Sequence, residues 1–147
     1  MFFEINNQTK IKVKEALVKK VLNKTEESVR RLRNKKISLA VVSSKVMRGL
    51  NRSYRGVDKV SCILSFVSEE RNFISPKNEK NFLGEIILSP VVILKQAKEN
   101  KKSFENEIAL LIIHGLLHLA GFTHHNENQA LKMNQMEQKI FKRLGKI

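Results

Sequence analysis

The stretch SFENEIALLIIHGLLHLAGFTHH, residues 103–125, decides how the rest of the chain is read. Ser103 offers a side-chain acceptor just ahead of Glu105 and Glu107. That is a helix start, with carboxylates placed at the positive end of the helix dipole. Beyond it the residues are apolar with hardly a polar face, so a helix from Ser103 to about Ala120 is expected to lie buried at the centre of its domain. Gly121 then supplies the stop, because glycine takes up the left-handed backbone that closes a helix without a steric penalty.

Shorter elements surround this helix. Phe2, Phe3 and Ile5 read as a terminal strand ended by Asn6 and Asn7. From Thr9 to about Leu22 the apolar residues repeat at helical spacing among lysines, and Thr25 before Glu26 and Glu27 reads as the N-cap of a second helical piece carrying Val29 and Leu32. ISLAVV, residues 37–42, and SCILSFV, residues 61–67, suit buried strands, and Ser44 opens a helix to about Arg52 between them. A turn is expected over Arg55-Gly56-Val57-Asp58, and a polar loop over residues 68–81 with a turn at Ser75-Pro76. FLGEIIL, residues 82–88, is the next strand, followed by a helix started by Ser89-Pro90. The last helix spans about Glu127 to Leu144, with Ala130, Leu131, Met133, Met136, Ile140, Phe141 and Leu144 at helical spacing. The expected fold is α+β, with about four strands in a mixed sheet, about five helices and the histidine-bearing helix at the centre. One domain over residues 1–147 accounts for the length.

Composition restricts the partners. With 28 Lys and Arg against 14 Asp and Glu, the formal net charge is +14 on an otherwise ordinary globular composition. A polyanion is the natural partner. Lys19, Lys20, Arg30, Arg31, Arg33, Lys35 and Lys36 form the densest basic group. The opening MFFEINNQTK lacks a basic segment followed by an apolar one, so no signal peptide is expected, and the apolar stretch over residues 108–122 is too short to span a bilayer. A single cysteine, Cys62, excludes an intrachain disulfide and fits a reducing compartment, with the cytoplasm as default.

All four histidines fall within residues 114–125. His114 and His118 lie four apart on one helix, so their rings project from one face a turn apart. The chain doubling back after Gly121 brings His124 toward the same point. Three neutral imidazoles leave one tetrahedral position open, the pattern of a catalytic zinc site. His125 is expected to face solvent. The spacing matches the zinc-peptidase string H-E-x-x-H-x-x-G-x-x-H, but Gly115 stands where that string carries its general base, which weighs against a peptidase.

The sequence resembles the YbeY endoribonucleases, also called rRNA maturation factors, whose signature is H-G-x-L-H-L-x-G-Y-D-H. Here it stands as His114-Gly115-Leu116-Leu117-His118-Leu119-Ala120-Gly121-Phe122-Thr123-His124. The family's L-N-x-x-Y-R-x-x-D corresponds to residues 50–58, its T-D-V-L-S-F-P to residues 61–67, and its L-G-D-I to Leu83-Gly84-Glu85-Ile86. Two departures each remove a carboxylate: Thr123 stands for Asp before the third histidine, and Ser61-Cys62 stands for Thr-Asp, leaving Asp58 as the only Asp in the chain.

The resemblance implies a zinc-dependent, single-strand-specific endoribonuclease acting in 16S rRNA 3′-end maturation and ribosome quality control on the small subunit. One zinc ion is expected on His114, His118 and His124, and Arg55 is expected to bind phosphate and stabilise charge in cleavage. A guanidinium suits that role, since its planar fork grips phosphate bidentately and stays charged. The general base is open between Glu85, water activated by the metal, and the RNA 2′-hydroxyl. Cys62 is a possible fourth ligand, which would close the site. The rival reading is a non-catalytic RNA-binding ribosome-assembly factor with a structural zinc.

Overall fold

A computed structural model describes residues 1–68 and 80–147. Its elements run β1 (Phe2–Asn7), α1 (Glu15–Ser28), a short 3-10 turn (Arg30–Leu32), β2 (Lys36–Val41), α2 (Ser44–Arg55), β3 (Ile63–Val67), β4 (Phe82–Leu88), α3 (Pro90–Glu99), α4 (Phe104–Leu119) and α5 (Glu127–Leu144). The fold is α+β, as expected. The loop expected over residues 68–81, with its Ser75-Pro76 turn, falls for the most part outside the described residues.

The sheet has the order β1-β2-β4-β3. β1, β2 and β4 are parallel, and β3 returns antiparallel against β4 at the edge, pairing Ser65 with Ile86 and Phe66 with Glu85. Strand alternation divides the side chains between two faces. On one face α4 lies so close that a Cβ on Gly115 would sit 3.0 Å from Ile86 Cδ1 and 3.2 Å from Ile63 Cδ1. Glycine at position 115 therefore sets how near the histidine helix comes to the sheet. On the other face Leu64, Phe66 and Ile87 form a smaller cluster with Val42 and Met47.

The central helix is as buried as its composition requires: Ile108, Ala109, Ile112, Ile113, Leu116 and Leu117 are all at most 1% exposed. Ser103 Oγ accepts from Asn106 N, and Gly121, at φ 98°, turns the chain away just past the helix end. Among the described residues no helix is long and apolar enough to cross a membrane.

Two expectations at the N-terminal side are corrected. The first helix starts at Glu15 and not at Thr9, because Asn7 holds the preceding segment in a turn: Thr9 N donates to Asn7 Oδ1 (2.9 Å) and Asn7 Nδ2 donates to Ile11 O (2.8 Å). Such local side-chain bonds compete with the helical ladder. Thr25 caps no second helix. It sits fully buried inside α1, its Oγ1 donating to Val21 O (2.7 Å) one turn back, so burial and an internal acceptor override its capping propensity. Ser43, one residue before the expected Ser44, caps α2 by accepting from Val46 N.

Candidate functional site

Arg55 is the last residue of α2, and the chain around it is tied down on both sides. Gly56 leaves the helix in the left-handed conformation at φ 67°. The following loop is then drawn back onto α2: Arg48 grips Asp58 with two bonds (Nε to Oδ1, 2.6 Å; Nη2 to Oδ2, 3.0 Å), and Arg52 Nη2 adds a third to Oδ1 (2.8 Å). These hydrogen bonds hold the Asp58 carboxyl well below the usual carboxylate range. Asn51, 2% exposed, donates through Nδ2 to Lys59 O and Ser61 Oγ, both at 3.0 Å. The spacing of Asn51, Arg55 and Asp58 thus has a local cause: the first and last fasten the loop that starts at the second.

Arg55 reaches round the β3 edge of the sheet. Its Nη2 donates to the Ser65 carbonyl of β3 (3.0 Å), and its guanidinium carbon lies 4.7 Å from the centre of the Phe66 ring. This cation–π contact and the carbonyl fix the head of the side chain and offset the rotamer entropy that a long arginine loses when it is ordered.

Facing it from α4 are the histidines. His114 and His118 point from one side of the helix with ring centroids 4.6 Å apart and their Nε2 atoms 3.1 Å apart. Two nitrogens at about 2.05 Å from a tetrahedral zinc would be about 3.3 Å apart. The pair therefore has ligand spacing. His124, exposed on the loop beyond Gly121, brings its ring centroid to 5.0 Å from His118 and 6.1 Å from His114. Among the described residues no group of three or more His, Cys, Asp and Glu side chains is set to hold a metal ion as it stands. The donor chemistry suits zinc, but His124 has to turn inward to complete the set. Burial, reinforced by His114 and His124, pushes His118 down to about 4, so it is neutral at neutral pH, the form that ligates. His125 is exposed and stacks on His124 at 6.5 Å.

Arg55, Ile63, Ser65, Val67, His114 and His118 line one cleft of about 280 Å³. The arginine and two of the histidines, read from segments some sixty residues apart, are brought to a single cavity at the sheet edge.

Glu137 is the residue that sequence reasoning missed. Its Oε1 lies 2.5 Å from His114 Nδ1, with the carboxylate side chain only 17% exposed. A carboxylate can only accept, so Nδ1 carries the proton and Nε2 presents its lone pair toward His118. The signal was present: Glu137 stands four residues after Met133 and three before Ile140, both buried, so a carboxylate occupies the inward face of α5.

Two of the open roles become clearer. Glu85 alternates with Ile86 on β4 and pairs with Phe66, which places it on the α2 face of the sheet and not on the face that carries the histidines. Cys62 lies apart from the cleft lining. Its thiol donates to Gln96 Oε1 (3.0 Å), Gln96 Nε2 donates to Glu107 Oε2 (3.1 Å), and burial, with the Glu107 charge, raises the thiol pKa. It belongs to a structural chain of polar contacts under α3.

A family model described as Endoribonuclease YbeY matches residues 3–145. A protein named Endoribonuclease YbeY from Desulforamulus reducens is 36% identical over 146 residues, spanning 96% of this chain and 95% of that one. Its namesake from Clostridioides difficile is 34% identical over 143 residues, spanning 95% and 94%. The solution structure of TM1509 from Thermotoga maritima superposes with a TM-score of 0.65 at 26% identity, covering 97% of this chain and 89% of that one. With a match over nearly its whole length, and with the histidine helix, the arginine at the end of α2 and the mixed sheet in place, this chain belongs to the Endoribonuclease YbeY family.

Proposed function

We propose that residues 1–147 form one zinc-dependent endoribonuclease domain that cuts single-stranded RNA, acting in the cytoplasm on the 3′ end of 16S rRNA and in ribosome quality control with the small subunit. One observation carries the reading: Arg55 faces His114 and His118 across a single cleft. His114, His118 and His124 would hold the zinc, which when bound supplies Lewis acidity to a phosphoryl oxygen. Glu137 keeps the proton on His114 Nδ1 and so keeps Nε2 free as a donor to the ion.

Arg55 binds the phosphodiester. The bond from Nη2 to Ser65 O holds the guanidinium at the lining of the cleft, where it presents a fixed positive charge. Charge that builds on the phosphate oxygens as the P–O bond breaks meets a guanidinium already in position, so little reorganisation opposes the transition state. Stacking on Phe66 keeps water off one face of that guanidinium and strengthens the interaction.

The test is cleavage of a labelled single-stranded RNA at fixed low salt by zinc-loaded wild type, His118→Ala and Arg55→Ala, purified identically. Cleavage by wild type alone, with all three binding RNA, is the expected result. Equal cleavage by all three, or binding without cleavage by any, would replace the nuclease reading with that of an RNA-binding assembly factor.

A further inference from the structure

A second groove lies beside the histidine loop, and we propose that it holds the stretch of single-stranded RNA that flanks the bond being cut. The inference rests on the ribonuclease reading and states where the substrate runs after it leaves the cleft. The groove, about 290 Å³, is lined by Phe122, Lys132, Gln135, Met136 and Lys139. That volume is at the low end of the range for small-molecule sites, ~300–1,000 Å³, and suits a group of nucleotide size.

Three features favour a nucleic-acid strand. The first is charge: Lys132 and Lys139 are seven residues, about two turns, apart on α5, both exposed, and flank the apolar floor made by Phe122 and Met136. Phosphates can meet the lysines while a sugar or base lies on the floor. The second is Arg31. Its guanidinium carbon lies 5.6 Å from the centre of the Phe122 ring, and its Nη1 is so near Gly121 that a Cβ there would approach to 3.1 Å. An arginine held against a loop by a ring and a glycine presents its fork in a defined direction, which a solvated surface arginine does not.

The third feature is position. Phe122 precedes His124 by two residues on the same loop, and Met136 adjoins Glu137, the partner of His114. The groove therefore lies on the loop that carries His124 and on the turn of α5 that carries Glu137. The basic group dense in sequence is dispersed by comparison: Lys36 Nζ is 2.9 Å from Glu4 Oε1, and Lys20 Nζ reaches Lys146 O at 3.4 Å. Arg31 is the member of that group that the fold places against the histidine loop.

The experiment is fluorescence anisotropy of a labelled single-stranded RNA oligonucleotide across a salt series. It compares wild type with Lys132→Glu/Lys139→Glu, with Arg31→Ser, and with Lys95→Glu/Lys98→Glu as a control of equal charge change on α3. All these side chains are exposed, and melting curves check that each variant folds. The groove double variant should bind at least about tenfold more weakly than the control and lower the slope of log K against log salt by about one. Arg31→Ser should weaken binding several-fold. If the groove and control variants lose affinity alike, or neither loses any, binding is spread over the basic surface and the groove assignment is overturned while the RNA reading stands. If wild type binds no RNA, both fall.

Discussion

Glu137→Ala removes the carboxylate that faces His114 Nδ1 at 2.5 Å. Two effects follow, and they separate experimentally. In metal-free protein the loss is one charge-assisted hydrogen bond at a site where His114 is 36% exposed, so water replaces part of it. That points to the low end, about 1 kcal/mol, which in a chain of this size lowers Tm by about 2–4 °C. With zinc the effect should be larger, because the carboxylate also decides which nitrogen of His114 carries the proton. Loss of such a partner weakens metal affinity by about 10–100-fold, equivalent to about 1.4–2.7 kcal/mol. A zinc ion held as proposed would stabilise the fold in proportion to the logarithm of its affinity, so the tenfold case alone would remove about 3–6 °C from the resulting rise in Tm. The assay is a pair of melting curves with and without zinc, together with a competition titration against a chromophoric chelator. A variant that folds, melts with the wild-type response to zinc and competes with unchanged affinity would refute the reasoning and leave Glu137 a bystander to His114.

Three further outcomes are expected. Gly84→Ala should cost about 3 kcal/mol or prevent folding, since its Cβ would fall 2.2 Å from the Phe66 carbonyl oxygen and 2.9 Å from Leu119 Cδ2, and denaturant melts check this. Native Cys62 should react with iodoacetamide at pH 8 much more slowly than the unfolded chain does, and its rate should climb at higher pH than in the unfolded chain, because burial keeps the thiol protonated. Asp58 has a depressed folded pKa, so its contribution is full above its unfolded value near 4 and is lost as pH falls below that. Stability in Asp58→Asn should therefore decline less steeply with acid than in wild type, as followed by melting temperature.

Much of this could be read along the chain. A helix with almost no polar face must be central, and four strands with turn residues between them leave few arrangements, so Ser103 to Gly121 appeared as found. The histidine spacing at four residues placed two rings together without any tertiary knowledge, because helical geometry alone does so. Local patterns misled where burial or a side-chain bond overrode propensity, as with Thr25 inside α1 and the Asn7 turn that delays the first helix.

What only the tertiary structure decided was distance between segments far apart in sequence. Arg55 and His118 are joined by no periodicity; they meet because α2 and α4 cover opposite faces of the sheet and β3 is an outer strand, around which an arginine can reach. Glu137 was hidden for the same reason, since which helix packs against His114 depends on long-range burial. Alternation along β4 placed Glu85 on one face or the other, but only the packing of α4 against Ile63 and Ile86 showed which face belongs to the histidines. Spacing within an element is set by the backbone of that element, whereas a site between elements is set by how their buried surfaces fit.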